Sequence, residues 1–221
     1  MFRTSNIRGQ QRFLDLRKLK ASKDANIVLS KKQIALIENS SILTLGEKID
    51  LLFVSLGNKL TTELFMKIRY NKSNSVKPEQ PHKKDLSEIE KLLKQLPLVY
   101  FKDFLPTKRN KQTGKLQNFT WFQVSVNKVV SKFMKKYPDD LTEFEEGVLY
   151  GFPLSAIRAF SGLIEARYDK PTSAFRHMSG VCSKDFWSDE REYYELWWER
   201  LRKLSPNIIQ EAEQEFIKNN K

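Results

Sequence analysis

The chain has one cysteine and two histidines among 221 residues. Cys182 alone cannot close an internal disulfide, and a four-thiolate zinc site is excluded. With only His82 and His177 besides, a mixed Cys/His site would need residues distant in sequence to converge. Long apolar runs are also missing: Leu51–Val54 is among the longest, far below the ~20 residues of a membrane-spanning helix. No hydrophobic signal region follows Met1. P-loop, dinucleotide, kinase and metal-ligand motifs are absent, and no G-x-S-x-G elbow accompanies His177, Ser173, Ser179 and Cys182. These absences predict a protein of a reducing intracellular (cytoplasmic) compartment with no cofactor, and they favour binding over catalysis.

The most telling absence is local. Phe104–Pro138 contains no acidic side chain, yet Lys108, Arg109, Lys111, Lys115, Lys128, Lys132, Lys135 and Lys136 are all there. Its second half shows helical periodicity, with Phe122, Val126, Val129, Val130, Phe133 and Tyr137 on one side of a 3.6-residue repeat. Thr120 with Gln123 reads as a capping box, and Pro138 as the stop. The spacing thus predicts a helix over 120–137, its apolar residues in the core and Ser125, Lys128, Lys132 and Lys135 in a cationic stripe.

What is present supports a packed core. Apolar residues make up 40%, with Phe 15, Tyr 7 and Trp 4, so general disorder is excluded. The net charge is +12, unevenly spread: residues 1–136 hold 28 Lys/Arg against 11 Asp/Glu, and residues 137–221 hold 11 against 16. Such asymmetry points to a face for polyanions, nucleic acid first among them, although the acidic end also neutralises part of the basic start.

Along the chain, Met1–Lys20 reads as a basic amphipathic helix carrying Phe13, Leu16 and Leu19; an organelle transit peptide is the alternative. Ser30 caps a short helix over Lys31–Glu38. Thr44 and Glu47 form a capping box before a helix with Ile49, Leu52, Phe53 and Leu56, which Gly57-Asn58 ends. Leu60–Tyr70 matches period 3.6 better than period 2 and predicts a helix, with a strand for the β-branched and aromatic pieces of 49–69 as the rival. The polar stretch 71–84, with two prolines and a solvated His82, reads as a linker between a basic helical N-terminal unit (1–70) and a mainly helical main domain (85–221).

In that second unit, Asp85 with Glu88 or Ser87 with Glu90 opens a helix that Pro97 stops. Leu98–Leu105 reads as extended, with a return strand over Lys115–Phe119, so that Lys108, Arg109 and Lys111 crown a basic finger. Asp139, Asp140, Glu143, Glu145 and Glu146 crowd a helix start, where carboxylates offset the macrodipole and Asp140 with Glu143 makes a capping box. Gly147, the Gly151 turn, and Leu154, Ile157 and Phe160 have the spacing of two helices crossing closely. A DNA-reading helix-turn-helix shares that spacing, but only Arg158 and Ser155 could reach a base edge. Thr172–Ser179 reads as a short helix. Ser188, with Arg191 at N3, caps a helix to Leu204 whose Tyr193, Tyr194, Trp197 and Trp198 belong to the core; in the sharper reading Tyr193 or Trp198 stacks on bases. Pro206–Asn219 closes the chain as an amphipathic helix.

The sequence therefore predicts a mainly α, multi-helix globular domain with a small β-hairpin near residues 98–119. Its function is read as non-catalytic nucleic-acid binding, with phosphate contacts from Lys108, Arg109, Lys111, Lys115, Lys128, Lys132, Lys135, Lys136 and Arg158. One alternative is an interaction module docking an acidic partner, or a protein partner through the acidic C-terminal half. The other is a metal-dependent nuclease using the carboxylates of 139–146.

Overall fold

The computed structural model describes residues 27–71, 79–109, 116–137, 141–168 and 181–219. The expected helices over Met1–Lys20 and Thr172–Ser179 lie outside these residues. Among them the fold is mainly α with small antiparallel sheets: eight helices and five strands.

The helix at the centre of the fold is α2 (Leu45–Ser55), which follows α1 (Lys31–Glu38). Nine of its eleven residues are buried, including Ile49, Leu51, Leu52, Phe53 and Val54. The Thr44 hydroxyl accepts the Glu47 backbone N–H at 3.2 Å, and the Glu47 carboxylate accepts the Thr44 N–H at 2.8 Å, which completes the expected capping box. The second oxygen of Glu47 accepts the N–H groups of Phe65 and Met66 at 2.7 and 2.9 Å. One buried carboxylate thus fixes both the start of α2 and the chain leaving β1 (Thr61–Leu64). Gly57, at φ 70°, ends the helical segment in the left-handed conformation.

Strand β1 stands where the spacing of Leu60–Tyr70 predicts a helix; of the rival strand reading over 49–69, only Thr61–Leu64 is observed as a strand. Leu64 is fully buried while the backbone of β1 pairs with β3, and a helix could not supply that pairing.

The hairpin is present and longer than expected. It joins β2 (Val99–Arg109) to β3 (Leu116–Ser125), in a sheet of order β1-β3-β2 with both pairs antiparallel. β3 is central and runs to Ser125, so the predicted helix over 120–137 is corrected in its first half. Asn127 caps α4 (Lys128–Lys136) instead, its side-chain oxygen accepting the N–H groups of Val129 and Val130 at 2.9 and 3.0 Å. β3 is apolar on both faces, with Phe119 and Trp121 on one and Phe122 and Val124 on the other, so it shows no clean alternation, and Phe122 and Val126 match helical spacing by coincidence. The register shifts between Leu105 and Lys108, where Pro106 has no N–H to give; β2 is an edge strand, the place where a proline is tolerated.

Residues 72–78 of the expected linker lie outside the described residues. On either side of them, Asn71 N–H donates to the Gln80 carbonyl at 2.9 Å and His82 N–H to the Arg69 carbonyl at 2.8 Å. A single buried apolar cluster then draws on residues from Leu29 to Ala212, before and after that stretch. α3 (Lys83–Leu93) begins at His82 without a side-chain cap. Asp85 is not its cap: fully buried, it accepts hydrogen bonds from Arg69.

In the C-terminal part, α5 (Glu143–Leu149) is capped by Thr142 with Glu145 rather than by Asp140 with Glu143. A Cβ on Gly147 would lie 2.6 Å from Ile157, so α5 and α6 (Leu154–Phe160) cross as closely as the glycine spacing predicts. The short pair β4 (Ala166–Tyr168) and β5 (Val181–Ser183) packs beside α6. α7 (Trp187–Leu204) starts one residue earlier than expected, and Ser188 makes no cap bond. Tyr194, Trp197 and Trp198 are buried in the core, which rules out Trp198 as a stacking surface. α8 (Pro206–Asn219) packs on α7 and α2. No helix of the described residues is long and apolar enough to cross a membrane.

Candidate nucleic-acid interface

α4 divides the basic segment into two faces. Val130, Phe133 and Met134 are buried, while Lys128, Lys132, Lys135 and Lys136 are exposed, so Lys128, Lys132 and Lys135 recur at i, i+4 and i+7 on the solvent side. Val129, expected in the core, is 57% exposed among these lysines. No carboxylate among the described residues pairs with Lys128, Lys132 or Lys135. Lys135 and Lys136 occupy the last turn, where they complement the helix dipole.

The lysine face borders the sheet. α4 packs on β2 and β3, and the Lys135 ammonium lies 4.9 Å above the ring of Phe101 on β2. The register gives the sheet two distinct sides, because side chains alternate along each strand. On one side Leu64, Phe122 and Val124 are fully buried. On the other lie Glu63, Phe101, Asp103, Phe119 and Trp121, all half-buried. Phe119 sits 5.3 Å from Phe65 and 6.0 Å from Trp121, ring centre to ring centre. Next to α4 this side is closed by a polar network: Gln123 Nε2 donates to Thr61 Oγ1 at 2.7 Å, and Thr61 Oγ1 donates to the Val124 carbonyl at 2.8 Å.

Two carboxylates stand among the rings. Burial raises the Glu63 carboxyl above its usual range, although a hydrogen bond from Tyr150 works the other way, and the charges of Glu146 and Asp103 add to the rise. Burial and the neighbouring Glu63 and Glu146 charges likewise push the Tyr150 hydroxyl well up.

The outer edge of β3 is covered where β1 ends: Asn118 N–H donates to the Glu79 carbonyl at 3.0 Å and Thr120 N–H to the Tyr70 hydroxyl at 3.2 Å. The strands then run on to their distal end, where Arg109 pairs with Leu116 and Lys108 with Gln117. That places the backbone of Lys108 and Arg109 at the far end of the hairpin from α4. Lys111 and Lys115 lie outside the described residues. Arg158 is exposed on α6, whose neighbours are α5 and the β4–β5 pair, so it is not gathered with the α4 lysines.

Of the acidic cluster, Glu143, Glu145 and Glu146 share the first turn of α5. Glu145 is used in its capping box, Asp139 and Asp140 lie outside the described residues, and burial with the Glu143 charge raises the Glu146 carboxyl. No group of three or more His, Cys, Asp or Glu among the described residues could hold a metal ion. A separate groove of about 300 Å³ runs between Asn58, Gly151, Leu154 and Leu196. Tyr193 is committed there, its hydroxyl donating to the Gly151 carbonyl at 3.1 Å.

The aromatic side of the sheet is what sequence reasoning misses. Its signal is the i, i+2 spacing of Phe119, Trp121 and Gln123, masked by the equally apolar Phe122 and Val124 between them. No family model, curated protein or solved structure matches this chain, so its function is read from the site alone.

Proposed function

We propose that the chain is a non-catalytic nucleic-acid-binding protein that grips phosphates with the exposed lysines of α4. The observation that carries this reading is the acid-free row Lys128, Lys132 and Lys135, exposed and paired with no described carboxylate. Three ammonium groups held at i, i+4 and i+7 repel one another without an anion, so the arrangement favours a polyanionic partner. Lys108, Arg109, Lys111 and Lys115 belong to the same acid-free stretch of sequence and are proposed to add phosphate contacts, and the surplus of twelve positive charges supplies long-range attraction. Phosphate contacts of this kind give affinity rather than base selection.

The test is binding of the parent and of the triple variant Lys128→Glu, Lys132→Glu, Lys135→Glu to short nucleic acids. The variant should fold, because its substitutions leave Val130, Phe133 and Met134 in place, and its affinity should fall steeply. A folded variant that binds as the parent does would refute the proposal.

A further inference from the structure

We infer that the ligand is a single-stranded polynucleotide, whose bases stack on the aromatic side of the β1-β3-β2 sheet; the inference rests on the lysine face of α4 being the phosphate contact. A sheet side that meets solvent ordinarily carries polar residues. Here Phe65, Phe101, Phe119 and Trp121 remain half-buried on one side, Phe65 and Phe101 packed against the core, while Leu64, Phe122 and Val124 are fully buried on the other. Phe119 and Trp121 keep part of their ring surface in water, and a stacked base would cover it.

Three features select that partner. Flat π-faces accept any base, and a base stacked on an aromatic ring is sheltered from water along with the ring. The Lys135 ammonium over Phe101 places positive charge at the rim of the ring row, continuous with Lys128 and Lys132. Glu63 and Asp103, on the same side of the sheet, repel phosphate, and their remaining lone pairs can accept the exocyclic N–H groups of bases. The backbone therefore follows the lysines, Phe101 being capped by Lys135, while the bases turn inward onto Trp121 and Phe119. A duplex cannot do this, because its bases are already stacked on one another.

The experiment compares three proteins: the parent, the pair Phe119→Leu with Trp121→Leu, and the triple lysine-to-glutamate variant. The probes are fluorescent oligo(dT) and oligo(U) of roughly 12 nucleotides, within the site sizes of single-strand binders, and a duplex of the same length. The parent should prefer the single strands, and the leucine pair should bind them roughly 5- to 150-fold more weakly for each base that no longer stacks. Its duplex binding and salt dependence should match the parent's, since every lysine remains in place. The ratio of oligo(dT) to oligo(U) affinity tells whether DNA or RNA fits better. If the lysine variant binds far more weakly but the leucine pair keeps the parent's single-strand affinity, the stacking inference is overturned and the phosphate reading stands. Equal retention by both variants overturns both. Should the leucine pair not fold, Trp121→Phe replaces it: oligo(dT) should quench the parent's tryptophan fluorescence more than the variant's, and equal quenching overturns the inference.

Discussion

Asp85 and Arg69 lock the two sides of the 71–84 stretch together. Asp85 is wholly buried and accepts three hydrogen bonds from Arg69: the backbone N–H and Nε at 2.9 Å each, and Nη2 at 2.5 Å. The Arg69 hydrogen bonds hold the carboxyl down at about 2. Unfolding releases it to the ordinary carboxylate range, so the unfolded chain binds the proton more readily. The pair's stabilisation is therefore complete above about pH 4 and disappears as pH falls toward 2. Asp85→Ala should cost about 1.5–3 kcal/mol at neutral pH, the lower part being expected because the Arg69 side chain is 64% exposed to solvent. It should also remove this part of the acid sensitivity, measured as denaturation midpoints across pH 2 to 5.

Gly151 and Gly162 both adopt positive φ, 81° and 70°, but in different surroundings. A Cβ on Gly151 would lie 2.0 Å from the Asn58 carbonyl oxygen and 2.7 Å from Trp197, whereas one on Gly162 would meet nothing within 4 Å. Gly162→Ala should cost only the left-handed conformation, ~1–2 kcal/mol. Gly151→Ala should add an overpacking cost of ~1–3 kcal/mol. Equal destabilisation in thermal or urea melts would contradict the close approach of the Gly151 turn to Asn58.

Neighbouring valines of α4 offer a sharp comparison. Val130 is fully buried and Val129 is 57% exposed. Val130→Ala should cost about 1.5–3 kcal/mol and Val129→Ala less than ~0.5 kcal/mol. The reverse order would mean that the lysine face is wrongly assigned.

Glu63 predicts an effect of opposite sign to Asp85. Its carboxyl lies above the usual range because of burial, so the folded protein binds the proton more readily and stability declines as pH rises through that range. Glu63→Gln keeps a partner for Tyr150 and should be more stable than the parent at neutral pH. A variant less stable than the parent at pH 7 would show that the charged carboxylate is favourable where it stands.

Much of the helical framework is legible in the sequence because its signals are local. The Ser30 cap and the Thr44–Glu47 capping box are readable from a few residues, and both are made, Ser30 also completing a box with Gln33. The close crossing at Gly147 and Gly151 is readable because only glycine fits there. The sheet is less legible, because β1 and β3 pair across more than fifty residues and β3 is apolar on both sides. Periodicity alone assigns Thr120–Ser125 to a helix that starts only after Asn127. The lysine row is unaffected by that error, since Lys128, Lys132 and Lys135 all fall within α4. The aromatic row is hidden by it, because Phe65 reaches Phe119, and Phe101 comes to the same side of the sheet as Trp121, only once the strands pair.

The central claim is that the α4 lysines bind phosphate, and salt dependence measures such binding directly. Affinity for a short nucleic acid of arbitrary sequence is titrated against salt for the parent and for the Lys128→Glu, Lys132→Glu, Lys135→Glu variant, with circular dichroism to establish folding. Each phosphate that the variant leaves unneutralised should make the log–log slope shallower by ~0.9 on duplex DNA or ~0.7 on a single strand. The expected result is a folded variant with much weaker binding and a slope shallower by about two units or more, as three lysines are reversed. A folded variant with the parent's affinity and the parent's slope would contradict the claim.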